Sequence, residues 1–279
     1  MTLVDAHQHF WRLSRGDYAW LTPELRALYR DFEPGDLASL LAENNIAATV
    51  LVQAAATEEE THFLFELARK HSFIKGVVGW TDFSAPDAAP RIAALAAAGA
   101  GVLKGLRPMI QDIADPDWVQ RSHLDAAFAA MIAHDLAFDA LVKPAHIPAL
   151  LARLARHPSL RTVIDHAAKP DIAHGGFDAW ASSVERLARE TGAYCKLSGL
   201  LTEARPGATV DDLAPYVEHV FTCFGPERVL WGSDWPVLDL ASDYSAWLDM
   251  ARGIVERYAP GFVAKVFGET AAQFYRLEL

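Results

Sequence analysis

Roughly eight short apolar runs recur along the 279-residue chain, each followed by a segment of helical periodicity. The runs are Val4–His9, Ala47–Gln53, Ile74–Trp80, Gly101–Arg107, Ala137–Val142, Arg161–His166, Ala193–Ser198 and Val229–Asp234. Between them, sets such as Leu37, Leu40 and Leu41, or Phe63, Leu64 and Leu67, place apolar side chains on one helical face. Thr57 with Glu60 is a capping box, and Asp36 is placed to cap the first helix. Strict alternation of strand and helix predicts a parallel sheet. About eight such units in about 250 residues predict an α/β fold of the (β/α)₈ TIM-barrel type. No Pro/Ser-rich linker divides the chain, so residues 1–279 read as a single barrel domain. An open doubly wound sheet is the competing architecture. It more often carries a Gly-rich turn after its first strand, where this chain has His7-Gln8-His9. Residues 10–35 form a long connection rich in aromatics, read as a lid or pocket wall with a short helix at Pro23–Arg30.

Composition narrows the partners. A net charge of −11 argues against nucleic acid, which needs a basic face. A hydrophobic content of 52% supports a large core, and no apolar run reaches the roughly 20 residues that span a bilayer. Cys195 and Cys223 form no Cys-x-x-Cys pair and read as core thiols in a reducing cytoplasm. Met1 leads almost directly into the first strand, so no signal peptide is expected. A small-molecule partner is expected, and a homo-oligomer is compatible with the sequence.

In a (β/α)₈ barrel the active site lies at the C-terminal strand ends. Collecting those ends brings His7 and His9, Gln53, Trp80 and Asp82, Lys104 and Arg107, Lys143, Asp165 with His166 and Lys169, Lys196 with Ser198, and Ser233 with Asp234 and Trp235 to one rim. Each such group costs desolvation unless it is used or paired. His7 and His9 share a strand face, on the order of 7 Å apart along the chain, and strict alternation puts Asp5 on that face one step deeper. Three imidazoles and a carboxylate, His7, His9, His166 and Asp234, suit one divalent ion such as Zn²⁺. Asp234 is the expected proton acceptor from water, with or without a metal. Lys104 and Arg107 are candidates to polarise a carbonyl or hold a carboxylate, and alternation lets only one of them enter the pocket. Arg107, at the exit before Pro108, is the favoured one. Trp20, Trp80 and Trp235 are candidate substrate-binding faces, with Trp11 and Trp231 near the same rim.

These stretches also form a pattern. The ordered set DAHQHFW, VQAAATEEETHFLFELA, GVVGWTDF, VLKGLRP, IDHAAKP, KLSGLLTEA and LWGSDWPV, from Val4 to Phe274, resembles the lactonase branch of the amidohydrolase superfamily. The resemblance implies a (β/α)₈ barrel that opens a lactone ring, with His7, His9, His166 and Asp234 facing the pocket and Asp234 activating water. Members of the branch differ in their need for metal. At most one Zn²⁺ and no organic cofactor are implied. Relatives in the wider superfamily place a bridging carboxylated lysine on the fourth strand, a position Lys104 does not match convincingly.

A dicarboxylate lactone should meet several arginines at the rim. Here Arg107 is the main candidate, with Arg12 and Arg205 in loops. That favours a neutral aldonolactone, and the resemblance selects the L-fucono-1,5-lactone type. Two other readings stay open at this stage: a metal-dependent, non-oxidative decarboxylase of an aromatic acid, and a sugar-binding barrel without turnover.

Overall fold

The computed structural model describes residues 2–279. Its eight parallel strands are β1 (Leu3–Gln8), β2 (Ile46–Val52), β3 (Ile74–Gly79), β4 (Leu103–Leu106), β5 (Ala137–Ala140), β6 (Thr162–Ile164), β7 (Tyr194–Leu197) and β8 (Val229–Trp231). They pair in sequence order. A parallel bridge between Gln8 and Trp235 brings the last strand back to the first, with the His9 amide donating to the Trp235 carbonyl at 2.8 Å. The expected (β/α)₈ barrel is the observed one.

Eight helices follow the strands: α1 (Pro34–Glu43), α2 (Glu58–Lys70), α3 (Ala88–Ala98), α4 (Asp125–Ala133), α5 (Ile147–Arg156), α6 (Phe177–Glu190), α7 (Val210–Phe224) and α8 (Tyr244–Tyr258). A terminal helix, α9 (Thr270–Tyr275), comes last. The Thr57 hydroxyl accepts from the Glu60 amide, as the capping pattern predicts. Glu33 rather than Asp36 is the N-cap of α1, and Asp36 answers it from the third helical position. Among the described residues, no helix is long and apolar enough to cross a membrane.

Apolar burial falls into two layers. Val4, Ala6, Val50, Val52, Val78, Val163 and Leu230 pack together with Phe274 and Tyr275 of α9. These β-branched and small residues fill the barrel interior, and α9 plugs it from the side where the strands begin. A larger layer, including Leu51, Leu106, Phe138, Ile164 and Trp231, packs the sheet against the helices. With the interior filled below, side chains at the strand exits form the floor of the opposite end.

The connection after β1 contains no helix at Pro23–Arg30. Among the described residues that stretch holds only isolated turns, such as Leu25 N to Thr22 O and Leu28 N to Leu25 O. Aromatic contacts shape it instead. Trp11 bridges Phe32 and packs edge-on to Trp20 with centroids 5.4 Å apart, and its indole N–H donates to the Arg30 carbonyl.

Candidate active site

The site begins with an irregularity in β1. Asp5 lies opposite Thr49 and Gln8 opposite Leu51, so three steps on β1 match two on β2. An inserted residue reverses the side-chain alternation beyond it. Asp5 therefore does not share the face of His7 and His9. Its carboxylate accepts from Ser233 Oγ at 2.6 Å, the Ser233 amide at 2.9 Å and Tyr244 Oη of α8 at 3.0 Å. It ties β1 to β8 and α8 behind the barrel wall.

His7 and His9 then turn toward the open end, with Nε2 atoms 3.2 Å apart. His9 Nδ1 donates to the Val52 carbonyl at 2.8 Å, since a carbonyl can only accept. In a tautomer with one ring proton, that leaves His9 Nε2 bare. Asp234 Oδ1 stands 3.3 Å from it, 3.5 Å from His7 Nε2 and 3.9 Å from His166 Nε2. A bare imidazole nitrogen and a carboxylate oxygen at this range repel unless a proton or cation lies between them. His7 Nε2, His9 Nε2 and Asp234 Oδ1 are thus a donor set sized for one divalent ion. Holding an ion would require His7 to give up any Nε2 proton. Burial opposes the charge of Asp234, but His166, His9 and His7 outweigh it and hold the carboxyl well below its usual range.

His166 arrives by a different route. β6 stops at Ile164, and His166, Ala167, Ala168 and Lys169 all adopt the left-handed conformation, with φ of 51, 49, 59 and 50°. Each non-glycine residue there costs about 1–2 kcal/mol, so tertiary contacts must hold the turn. Ser198 Oγ lies 2.9 Å from His166 Nδ1, and Trp180 of α6 donates to the Ala167 carbonyl at 2.7 Å. Gly199 leaves the space: a Cβ there would lie 2.5 Å from His166 Nδ1. Gly232 does the same beside His7, where a Cβ would come within 2.7 Å of the His7 Cβ. Burial pushes the His166 imidazole down to about 4, so it is neutral near pH 7.

Beneath these groups lies a buried ionic layer. Lys196 Nζ of β7 donates to Asp139 Oδ2 at 2.5 Å, lies 2.9 Å from Asp165 Oδ1 and 3.0 Å from His7 Nδ1, and is fully buried. Tyr275 Oη donates to Asp139 Oδ2 at 2.6 Å. Arg107 lies beside this layer. Its guanidinium donates to the Gln53 carbonyl, comes within 3.4 Å of His7 Nε2 and sits 3.6 Å from Asp165 Oδ2.

A cavity of about 180 Å³ opens above, with His9, Arg107, His166 and Asp234 at its base. Trp20 forms part of the wall, its indole N–H donating to the Ala54 carbonyl at 2.8 Å. Other expected binding residues are placed elsewhere. Lys104 is the second residue of β4, at the far end from the exit, and its Nζ donates to the Arg276 carbonyl at 3.1 Å. Trp80 lines a neighbouring groove with Phe83, Pro108 and Trp118. Trp235 is buried, packed edge-on against Phe10 and Phe32. Its backbone carbonyl accepts from the His9 amide, while its ring belongs to the aromatic layer. The wall also contains Met109, Gln111, Asp112, Leu141 and Val237. Leu141 belongs to the fifth apolar run, whereas Met109, Gln111, Asp112 and Val237 lie in loops without a periodic signal. Lys169 was collected at the rim, and it lines the cavity while paired to Glu203 at 2.9 Å.

Glu60 supports this wall from behind. Its buried carboxylate accepts from the Ala54 and Ala55 amides at 2.9 and 2.7 Å. Burial raises its carboxyl from an ordinary 4.5 to about 8, against the pull of those two amides. The folded chain therefore binds this proton more tightly than the unfolded chain. The corresponding stability is present in full below about pH 4.5 and is lost as pH rises through about 8. Glu60→Gln should remove that part of the pH dependence of Tm. Relative to wild type, the variant should therefore gain stability in urea denaturation as pH rises from about 4.5 to about 8, because the neutral amide carries no burial penalty for ionisation. An unchanged Tm–pH curve would refute the assignment.

An eight-stranded barrel with histidines from β1 and the β6 exit converging on a carboxylate beyond β8 defines a barrel hydrolase whose site can hold a divalent ion. The chain belongs to the amidohydrolase family, whose model matches residues 4–277. It is 48% identical over 279 residues to an L-fucono-1,5-lactonase of Burkholderia ambifaria, covering 99% of this chain and 96% of that protein. It is 37% identical to an L-fucono-1,5-lactonase of Burkholderia multivorans, covering 98% and 96%. A crystal structure of an amidohydrolase from Burkholderia multivorans with bound zinc superposes with a TM-score of 0.92 at 34% identity, over the full length of both chains.

Proposed function

We propose that this protein hydrolyses the ring ester of a sugar-acid lactone, with L-fucono-1,5-lactone as substrate. The observation that carries the reading is Asp234, buried among His7, His9 and His166 at the base of the cavity. The 48% identity to an L-fucono-1,5-lactonase across nearly the whole chain supports the choice of substrate.

In this reading the lactone lies in the cavity with its carbonyl over the imidazoles. Asp234, kept ionised by its neighbours, takes a proton from water as the water oxygen attacks the carbonyl carbon. The negative charge that develops on the carbonyl oxygen is met by Arg107 and by Nε2–H groups of His7 and His166, whose Nε2 atoms face Asp234. When the tetrahedral centre collapses, the C–O bond to the ring oxygen breaks. That oxygen takes the proton held by Asp234, and the product is the open aldonic acid. His7, His9 and Asp234 would hold a single zinc ion, which would supply Lewis-acid polarisation when bound.

The test is pH-stat titration against a panel of aldonolactones. Acceleration of L-fucono-1,5-lactone opening above the spontaneous rate is expected. No acceleration on any member, or carbon dioxide release from an aromatic acid instead, would overturn the reading. Metal analysis of the purified protein should find no more than one ion per chain. Two ions would contradict a one-metal site, because the second candidate group, His7, Asp165 and His166, shares His7 with the first.

A further inference from the structure

The turn that follows β4 brings unused hydrogen-bond acceptors to the cavity wall. A short 3-10 turn spans Ile110–Asp112. Buried Ile110 anchors it below, and the Gln111 amide donates to the Leu141 carbonyl beyond β5 at 3.1 Å. The turn holds Gln111 and Asp112 on the cavity wall. Gln111 Oε1 is shielded from solvent and has no partner. Among the described residues, none donates a hydrogen bond to the Asp112 carboxylate. Of the cations of the same cavity, Lys169 is paired with Glu203 at 2.9 Å, and Arg107, anchored by the Gln53 carbonyl, lies at the base, where the proposed reaction sets it against the lactone carbonyl. What this turn adds to the wall is an acceptor and a negative charge, above a base that carries the Asp234 carboxylate.

We propose that Asp112, with Gln111 beside it, is the specificity-determining element of this site: it receives the ring hydroxyls of a neutral lactone and turns away lactones that carry carboxylates. The assignment rests on the lactonase reading above and adds the chemical basis of its substrate class. A carboxylate accepts two hydroxyl donors at once, as adjacent ring hydroxyls offer them. The same charge repels an anionic ring, so one residue supplies both attraction and exclusion. Because Asp112 is exposed and caps nothing, its replacement leaves the barrel intact.

The experiment compares two neutral six-membered lactones, L-fucono-1,5-lactone and hydroxyl-free δ-valerolactone, with 2-pyrone-4,6-dicarboxylate as the anionic probe. Asp112→Ala should lower kcat/KM on the fuconolactone about tenfold or more, mainly through KM, the size expected for lost hydrogen bonds to a charged acceptor. It should change δ-valerolactone turnover less than about twofold, because no hydroxyl is there to lose. Gln111→Leu should show the same selectivity with a smaller loss. Asp112→Asn, which keeps shape and removes charge, should improve the ratio of anionic to neutral turnover several-fold over wild type. Equal losses on both neutral lactones, or none on either, would overturn this assignment alone while wild-type activity stands. Wild-type protein that opens neither ring would overturn the lactonase reading and this one with it.

Discussion

Asp234→Asn is expected to lower kcat on L-fucono-1,5-lactone by about 10²–10⁴-fold, the range that a positioned general base contributes. The variant keeps the volume of the side chain and one acceptor oxygen. The backbone bond from the Asp234 amide to the His7 carbonyl, 2.8 Å, does not depend on the side chain. Folding should therefore be unaffected, and the loss should fall on kcat rather than KM, because the missing proton transfer belongs to the transition state. The carboxylate must be charged to act, and His166, His9 and His7 keep it so. A variant that retains more than about a tenth of the wild-type rate would remove Asp234 from the role of base, since even weak general-base catalysis exceeds that factor.

The second large effect is on stability. Lys196→Met should destabilise the barrel by about 3–5 kcal/mol, the cost of leaving buried charge without its partner. Lys196 stands between Asp139 and Asp165, all three fully buried. Burial pushes Asp139 up to about 6 even with the ammonium beside it. Burial also opposes the charge of Asp165, but Lys196 and His7 outweigh it and hold that carboxyl well below its usual range. Without the cation the two carboxylates face each other in the barrel, and one of them must take up a proton. The double variant Lys196→Met/Asp139→Asn should recover part of the loss, because it removes one orphaned charge along with the other. Urea denaturation of the three proteins reads this directly. A single variant within about 1 kcal/mol of wild type would mean that the layer does not hold the barrel together.

These predictions differ in how far they could be seen in advance. His7, His9, His166 and Asp234 were legible because each stands at the end of an apolar run, and a parallel barrel brings all such ends to one rim. Arg107 was legible for the same reason. Asp139 was not, because it sits inside β5, flanked by Phe138 and Ala140, where a carboxylate has no signature until its partner is known. Lys196 was visible only as an alternative between pocket and ion pair. Its three partners come from β1, β5 and the β6 exit. Lys104 falls within the fourth apolar run, Gly101–Arg107, but β4 begins only at Leu103 and places Lys104 at the far end from the rim.

The sequence alone determined the number and order of the strands, the parallel closure and the set of groups at the open rim. These follow from local periodicity, in which burial repeats with the geometry of strand and helix. Tertiary structure decided which way those groups point. The extra residue in β1 sends Asp5 behind the wall and His7 into the site. Four left-handed residues carry His166 to its place, held by Ser198, Trp180 and the space at Gly199. Trp80 and Trp235 leave the cavity, while Gln111 and Asp112 enter it. The reason is physical. Side-chain direction at a strand exit depends on register, strain and contacts with residues far along the chain, and none of these leaves a period in the sequence.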